Sequence, residues 1–285
     1  MIGWNEFYLF GIVAVLLWIM GAILAIRQKQ TLAMRPEQSP AMRPEQSPAN
    51  KYAILFTAAA EVVLLTFIIL LWINLERPPL RTMGETRLWY AFFMGIASLI
   101  TYCKWRYPWI LSFSTLLGGV FVALNIFKPE IHDQTLMPAL QSIWFIPHVT
   151  IYMFSYSILG CAFIMAVLSL KQITEHKLKA IDGMVNTGIC CLTIGMLLGS
   201  LWAKEAWGGY WSWDPKETWA AITWLGYLLY IHMRLGHNAE YSGAGTKNKL
   251  LLWIVIASFG CLQMCWWGVN YLPAAKESIH TYIRQ

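Results

Sequence analysis

Long apolar runs alternate along the chain with short polar segments. A run of about twenty apolar residues needs a hydrocarbon layer to bury it, because an α-helix of that length crosses about 30 Å of bilayer core. Eight such spans are read, at 5–26, 53–75, 88–103, 108–127, 146–170, 184–203, 215–233 and 250–272. The predicted fold is all-α, a polytopic transmembrane helical bundle of about eight spans. An N-terminal four-span region occupies 1–127, and four further spans with an outer C-terminal tail occupy 128–285. The first apolar run, Tyr8 to Ile26, has no basic residue ahead of it and no small-residue cleavage site behind it. It reads as a retained span and not as a signal peptide.

Composition agrees with a membrane chain: 58% of the 285 residues are hydrophobic and 13% charged. The net charge of +6 would suit nucleic acid, but its placement argues otherwise. If the N-terminus faces outside, inner loops hold thirteen of the 21 Lys and Arg and carry a net charge of +8, as the positive-inside rule asks. Arg77, Arg81 and Arg87, together in one outer loop, weigh against that orientation. The basic residues are topology signals, and the reading is of a lipid bilayer and no nucleic acid. Six cysteines lie in or beside apolar runs without a C-x-x-C pair, which indicates neither a disulfide framework nor a zinc site.

The polar segments differ in character. Residues 27–51 contain A-M-R-P-E-Q-S-P twice, at 33–40 and 41–48, and read as a flexible inner linker without chemistry. The outer segment Glu76 to Arg87 is stiffened by Pro78 and Pro79. Its arginines either anchor to lipid headgroups or pair with ligand carboxylates. Glu61 is the one acid in the interior of a span, away from its ends. It is a functional candidate by default, or else a protonated group bonded to a neighbouring helix.

The densest chemistry lies between Trp202 and Trp219, which hold five of the sixteen tryptophans. Gly208 and Gly209 permit a tight turn, and Trp207, Tyr210, Trp211 and Trp213 supply flat faces on a short loop at a membrane surface. Two readings stand: an interfacial aromatic belt, or a concentrated platform for a flat ligand. Asp214, Pro215 and Glu217 have the spacing of a helix cap with its capping box, so both acids read as structural. His148 opens the fifth span on the side of this loop, and His280 lies in the tail on the same side. Imidazole is a common iron ligand, and a histidine at a helix end is also a common cap. His232 lies eighteen residues into the seventh span, about 27 Å along the helix from the loop. The two regions therefore cannot share one small ligand. His132, His176 and His237 are assigned no role.

W-G-G-Y-W-S-W-D-P-K-E-T-W, residues 207–219, resembles the tryptophan-rich WWD signature of the haem-handling proteins of cytochrome c maturation. The flanks L-M-P-A-L-Q-S-I-W-F-I-P-H-V, Y-I-H-M-R and G-V-N-Y-L with the later I-H-T-Y are similar to CcsA/ResC, the integral membrane half of the system II cytochrome c synthase. The resemblance covers about 128–285, and ahead of it the chain matches only in being membrane spans.

The resemblance implies that His148 and His280 are outer axial ligands of haem b, that His232 is a ligand of an inner site, and that Trp207, Tyr210, Trp211 and Trp213 lie against the porphyrin. It implies a bacterial inner-membrane protein with the loop facing the periplasm or cell exterior, a CcsB/ResB-like partner and apocytochrome c. Synthase activity is expected only with that partner, and no catalytic residue is identified. Two features depart from the family pattern. No histidine precedes His132, so a second inner ligand would come from the partner, and the acidic-aromatic segment early in the family is not recognisable. The alternatives are a di-haem quinol-oxidising cytochrome, which needs paired histidines on facing helices, and a solute transporter, which needs interrupted helices and midplane charges.

Overall fold

A computed structural model describes residues 3–33, 50–80, 82–132, 142–236, 246–266 and 268–273. Its elements are eight long helices: α1 (Phe7–Ala33), α2 (Lys51–Leu75), α3 (Met83–Trp105), α4 (Pro108–Phe127), α5 (Phe145–Ser169), α6 (Glu175–Trp207), α7 (Pro215–Leu235) and α8 (Thr246–Trp266). Six of them are long and apolar enough to cross a membrane. The exceptions are α3 and α7, where Trp, Tyr and charged residues stand at positions that are aliphatic in the others. Large apolar side chains face outward along both ends of the sequence, Leu16 at 59% and Ile73 at 68% exposure in one half, Leu197 at 63% and Leu225 at 58% in the other. Such faces belong against lipid, and the chain is an integral membrane protein.

Several boundaries differ from the sequence reading. The segment after Arg27 stays helical to Ala33, since I-R-Q-K-Q-T-L-A contains good helix formers and the first proline comes at Pro36. The duplicated repeat, residues 33–48, lies almost wholly outside the described residues. Helix α6 begins nine residues before the expected span because Thr174 caps it, accepting from the Lys177 amide. Helix α8 ends at Trp266, and a 3-10 turn, Gly268–Tyr271, follows.

The chain divides into two compact units, Met1–Gln141 and Ser142–Gln285. In the first, each of α1 to α4 packs on the next and α4 returns to α1, a closed four-helix arrangement. Asn50 ties α1 to α2: its side chain accepts from Tyr52 and Ala53 amides and donates to the Leu24 carbonyl at 2.9 Å. Arg106 reverses the chain in left-handed backbone, φ 61°, before Pro108 opens α4. The core centres on Trp18, which is 2% exposed and packs over Gly118. Its indole N–H donates to Glu61 Oε1 at 2.7 Å, and the Glu61 carboxyl fills the notch left by Gly95 on α3. Glu61 is thus hydrogen-bonded to a neighbouring helix, as one of the two readings of that residue required.

The second unit repeats the plan, α5 packing on α6 and α8, and α7 on α6 and α8. Small residues let the helices approach, which matters where lipid supplies no hydrophobic drive for helix association. On α6, Gly188 faces Leu159, Gly195 faces Tyr152 and Gly199 faces His148, all on α5. On α7, Gly226 faces Ser258 of α8. Four hydroxyls within the helices, Ser157, Ser169, Thr223 and Ser258, bond back to the carbonyl four residues earlier.

Candidate functional site

The Trp-rich loop joins α6 to α7 and is tied at both ends. Gly208 closes α6 in left-handed backbone, φ 83°, its amide donating to the Lys204 carbonyl at 3.0 Å. Lys204 Nζ donates back to the Gly208 carbonyl at 2.7 Å and sits 5.4 Å from the Tyr210 ring centre. At the far end the expected capping box forms. Glu217 Oε2 accepts from the Ser212 amide at 2.7 Å, the Ser212 hydroxyl at 3.2 Å and the Asp214 amide at 3.3 Å, while Asp214 Oδ1 accepts from the Lys216 amide. Asp214 and Glu217 are buried, so both acids hold the loop's shape.

The four platform residues do not share one setting. Tyr210 and Trp213 are 56% and 71% exposed, and Trp213 stands in left-handed backbone at φ 57°, which costs a bulky residue about 1–2 kcal/mol. Trp211 meets Trp213 edge-on at 5.7 Å and is half-buried. Trp207 turns inward and meets the ring of Trp202 at 4.7 Å.

Trp202, on the last turns of α6 and 5% exposed, links the loop to His148. The imidazole of His148 stacks on it at 5.6 Å with 24° between planes, and the Tyr152 ring lies 4.5 Å away, tilted by 57°. Tyr152 stacks in turn on Tyr156. His148 lies in the first turn of α5, and its Nδ1 is 2.7 Å from the Gly195 carbonyl oxygen. A carbonyl only accepts, so Nδ1 carries the proton and the neutral ring has its lone pair on Nε2. Gly199 completes the seat: a Cβ there would lie 2.6 Å from Cε1 and 2.8 Å from Nδ1. Gly195 and Gly199 form a G-x-x-x-G step, visible in the sequence but not singled out as part of the site, and neither were Trp202 and Tyr152.

His232 lies on the last turns of α7, at the opposite end of this unit from the loop. It is exposed on the helix surface. Here too Nδ1 donates to a backbone carbonyl, Leu228 at 2.8 Å, which leaves the lone pair on Nε2. Beside it, Arg234 Nε donates to both oxygens of Asp182 at 3.0 and 3.1 Å, the Tyr230 hydroxyl donates to Asp182 at 2.7 Å, and Arg234 lies 3.6 Å from Glu175. This network, spread over α6 and α7, was not anticipated. His280 lies outside the described residues.

Among the described residues no three His, Cys, Asp or Glu side chains gather as a metal site. The donor chemistry fits haem: a ring fixed through Nδ1 by a carbonyl and flanked by aromatic faces is how proteins commonly hold an axial histidine.

Comparison with known proteins bears on the same stretch. The family described as "Cytochrome C assembly protein" matches residues 72–275, which begins well ahead of the 128–285 stretch that carries the sequence resemblance and includes α3 and α4. "Cytochrome c biogenesis protein CcsA" of Pelargonium hortorum is 30% identical over 271 residues, 76% of this chain and 82% of that protein. The protein of the same name from Parasynechococcus marenigrum (strain WH8102) is 28% identical over 79% of this chain and 85% of its own length. That from Chlamydomonas reinhardtii is 37% identical over 182 residues, 59% of this chain and 48% of its own length.

Proposed function

This chain belongs to the cytochrome c assembly protein family, and from that premise we propose that it holds haem b at the Trp-rich loop and presents it for attachment to apocytochrome c. The observation that carries this reading is the seat of His148. Its tautomer is fixed by the Gly195 carbonyl, its plane by Trp202 and its position by the bare Cα of Gly199. A ligand imidazole needs all three.

Each residue then has a task. His148 donates its Nε2 lone pair to iron, and His280 from the C-terminal tail is the second outer ligand. Tyr210, Trp211 and Trp213 present π-faces to the porphyrin, and Trp207, through Trp202, couples the loop to the ligand's seat. The capping box of Asp214 and Glu217 keeps the loop in one shape, so orientation is prepaid and not gathered at the moment of reaction. Haem, the cargo, supplies the reactive vinyl groups, and each thiol of a C-x-x-C-H motif adds its sulfur and its hydrogen across one of them, with no net electron transfer. No side chain of this chain is assigned as acid or base.

His232 is proposed as a ligand of an inner site completed by a histidine of a ResB-like partner. Its exposure supports this, since a ligand shared with another chain must stand on the surface. The loop is proposed to face the periplasm or cell exterior of a bacterial inner membrane, in keeping with the basic inner loops. Synthase activity is assigned to the assembly with the partner.

The test is the absorption spectrum of the purified protein, with cytochrome c maturation measured in parallel. His148→Ala should lose the bound haem and abolish maturation, with added imidazole restoring part of both. Unchanged maturation in this variant would remove His148 from the site.

A further inference from the structure

We propose that the first unit binds a phosphate group at the end where α1 and α3 begin and α2 and α4 finish, a site independent of haem. The starting point is Asn125, in the last turns of α4. It is 2% exposed, and among the described residues neither its Nδ2 nor its Oδ1 has a hydrogen-bond partner. A buried amide with both ends unmet is rare in a folded protein and calls for an occupant. The second group is Arg87 on α3, whose buried Nη1 has no partner among the described residues. The guanidinium cannot shed its charge. The acid nearest in sequence, Glu85, is gripped by both terminal nitrogens of Arg77 at 2.9 and 3.0 Å and by the Thr82 amide at 3.1 Å.

Gly84 relates the two. Arg87 follows it by three residues on α3, on the same helix face, and long helical side chains lean back over the turn before their own Cα. A Cβ on Gly84 would lie 3.1 Å from Asn125 Oδ1 and would meet the ring of His132. Glycine there admits both side chains to the first turn of α3. His132 is held by Trp4, stacked at 3.9 Å with 8° between planes.

The required ligand follows from the donors and acceptors. It must carry negative charge for Arg87, acceptor oxygens for Arg87 Nη1 and Asn125 Nδ2, and an O–H donor for Asn125 Oδ1. A carboxylate lacks the donor. A phosphate with a hydroxyl has all three, whether hydrogenphosphate or the phosphodiester and glycerol hydroxyls of phosphatidylglycerol. Phosphatidylcholine has the phosphate and no donor. The site lies at the ends of α1, α2 and α4, helices of membrane-spanning length, which is the depth of lipid phosphates.

The full-length chain, delipidated in detergent, should be offered phosphatidylglycerol, phosphatidylcholine and inorganic phosphate, with bound adducts counted by native mass spectrometry and phosphate binding by calorimetry. The expected result is a single tight phosphatidylglycerol adduct favoured about tenfold over phosphatidylcholine, as a charge-assisted contact plus a hydroxyl bond provides. Arg87→Gln and Asn125→Ala should reduce it to the phosphatidylcholine level, and Arg87→Lys should retain part of it. Displacement of that adduct by inorganic phosphate, or phosphate binding without any lipid adduct, assigns the site to a free anion. Lipid binding without displacement assigns it to a headgroup, and either result supports the proposal. Equal adducts of both lipids with no phosphate binding overturn it, as do folded Arg87→Gln and Asn125→Ala variants that bind like wild type. Where a variant loses its helicity, the wild-type preference alone decides.

Discussion

His148 and Gly199 occupy one another's space: the edge of the imidazole fills the volume where any other residue at 199 would place its Cβ, 2.6 Å from Cε1. The ring cannot retreat, because Trp202 stacks on one face and Tyr152 flanks it. Gly199→Ala is therefore expected to tilt the imidazole without removing it. Overpacking of this kind costs about 1–3 kcal/mol, so haem retention should fall by about tenfold or more while helicity by circular dichroism stays at the wild-type level. A variant that keeps full haem would show that the seat is not needed.

Trp213 separates platform from belt. Trp213→Gly removes the exposed ring and also relieves the left-handed backbone, a gain of about 1 kcal/mol set against the added chain entropy of glycine. The melting temperature should be unchanged or raised, with haem retention lowered. For Trp202→Ala, which empties a buried site, about 3–5 kcal/mol of stability should be lost as well. Equal haem retention in wild type and Trp213→Gly would favour an interfacial belt.

Glu217 is expected to hold the loop and take no part in chemistry. Glu217→Gln keeps an accepting oxygen but weakens the bonds from Ser212 and Asp214, at a cost of about 1–2 kcal/mol. Hydrogen exchange should quicken at residues 208–216 and stay unchanged in α5. Maturation should fall in proportion to lost haem, and a full loss of maturation with normal haem would instead make Glu217 a chemical group.

His232→Ala should leave the fold and the His148 seat intact, since the ring is exposed and, among the described residues, bonds its own helix at the Leu228 carbonyl. What it should lose is the inner-site haem expected when the chain is purified with the proposed ResB-like partner, read as a bis-histidine low-spin spectrum. If the chain alone gives that spectrum after His148 and His280 are both replaced, the partner is not required, and the quinol-oxidising reading gains.

Glu61 offers a stability test in the first unit. Glu61→Gln retains the acceptor for the Trp18 indole N–H and should be tolerated within about 1 kcal/mol. Glu61→Leu strands that donor in the core and should cost about 1–3 kcal/mol, and Gly95→Ala, which collides with the carboxyl, should also destabilise the unit. Thermal unfolding followed by circular dichroism checks all three.

The sequence by itself determined the eight helices, the membrane and the capping box of Asp214 and Glu217, because each depends on residues within one or two helical turns or on the composition of a single run. The motif around Trp207 to Trp219 likewise led to the family before any contact was known. Tertiary structure alone decided what surrounds each of those residues. Gly195, Gly199 and Trp202 lie about fifty residues from His148 in the chain, and only the packing of α5 on α6 makes them its seat. Trp207 and Trp213, six residues apart and alike in composition, differ in role because one turns toward Trp202 and the other toward the surface. The pairing of Asp182 with Arg234 and the approach of Asn125 to Gly84 depend in the same way on helices meeting side by side, a relation between distant segments that no local pattern of residues encodes.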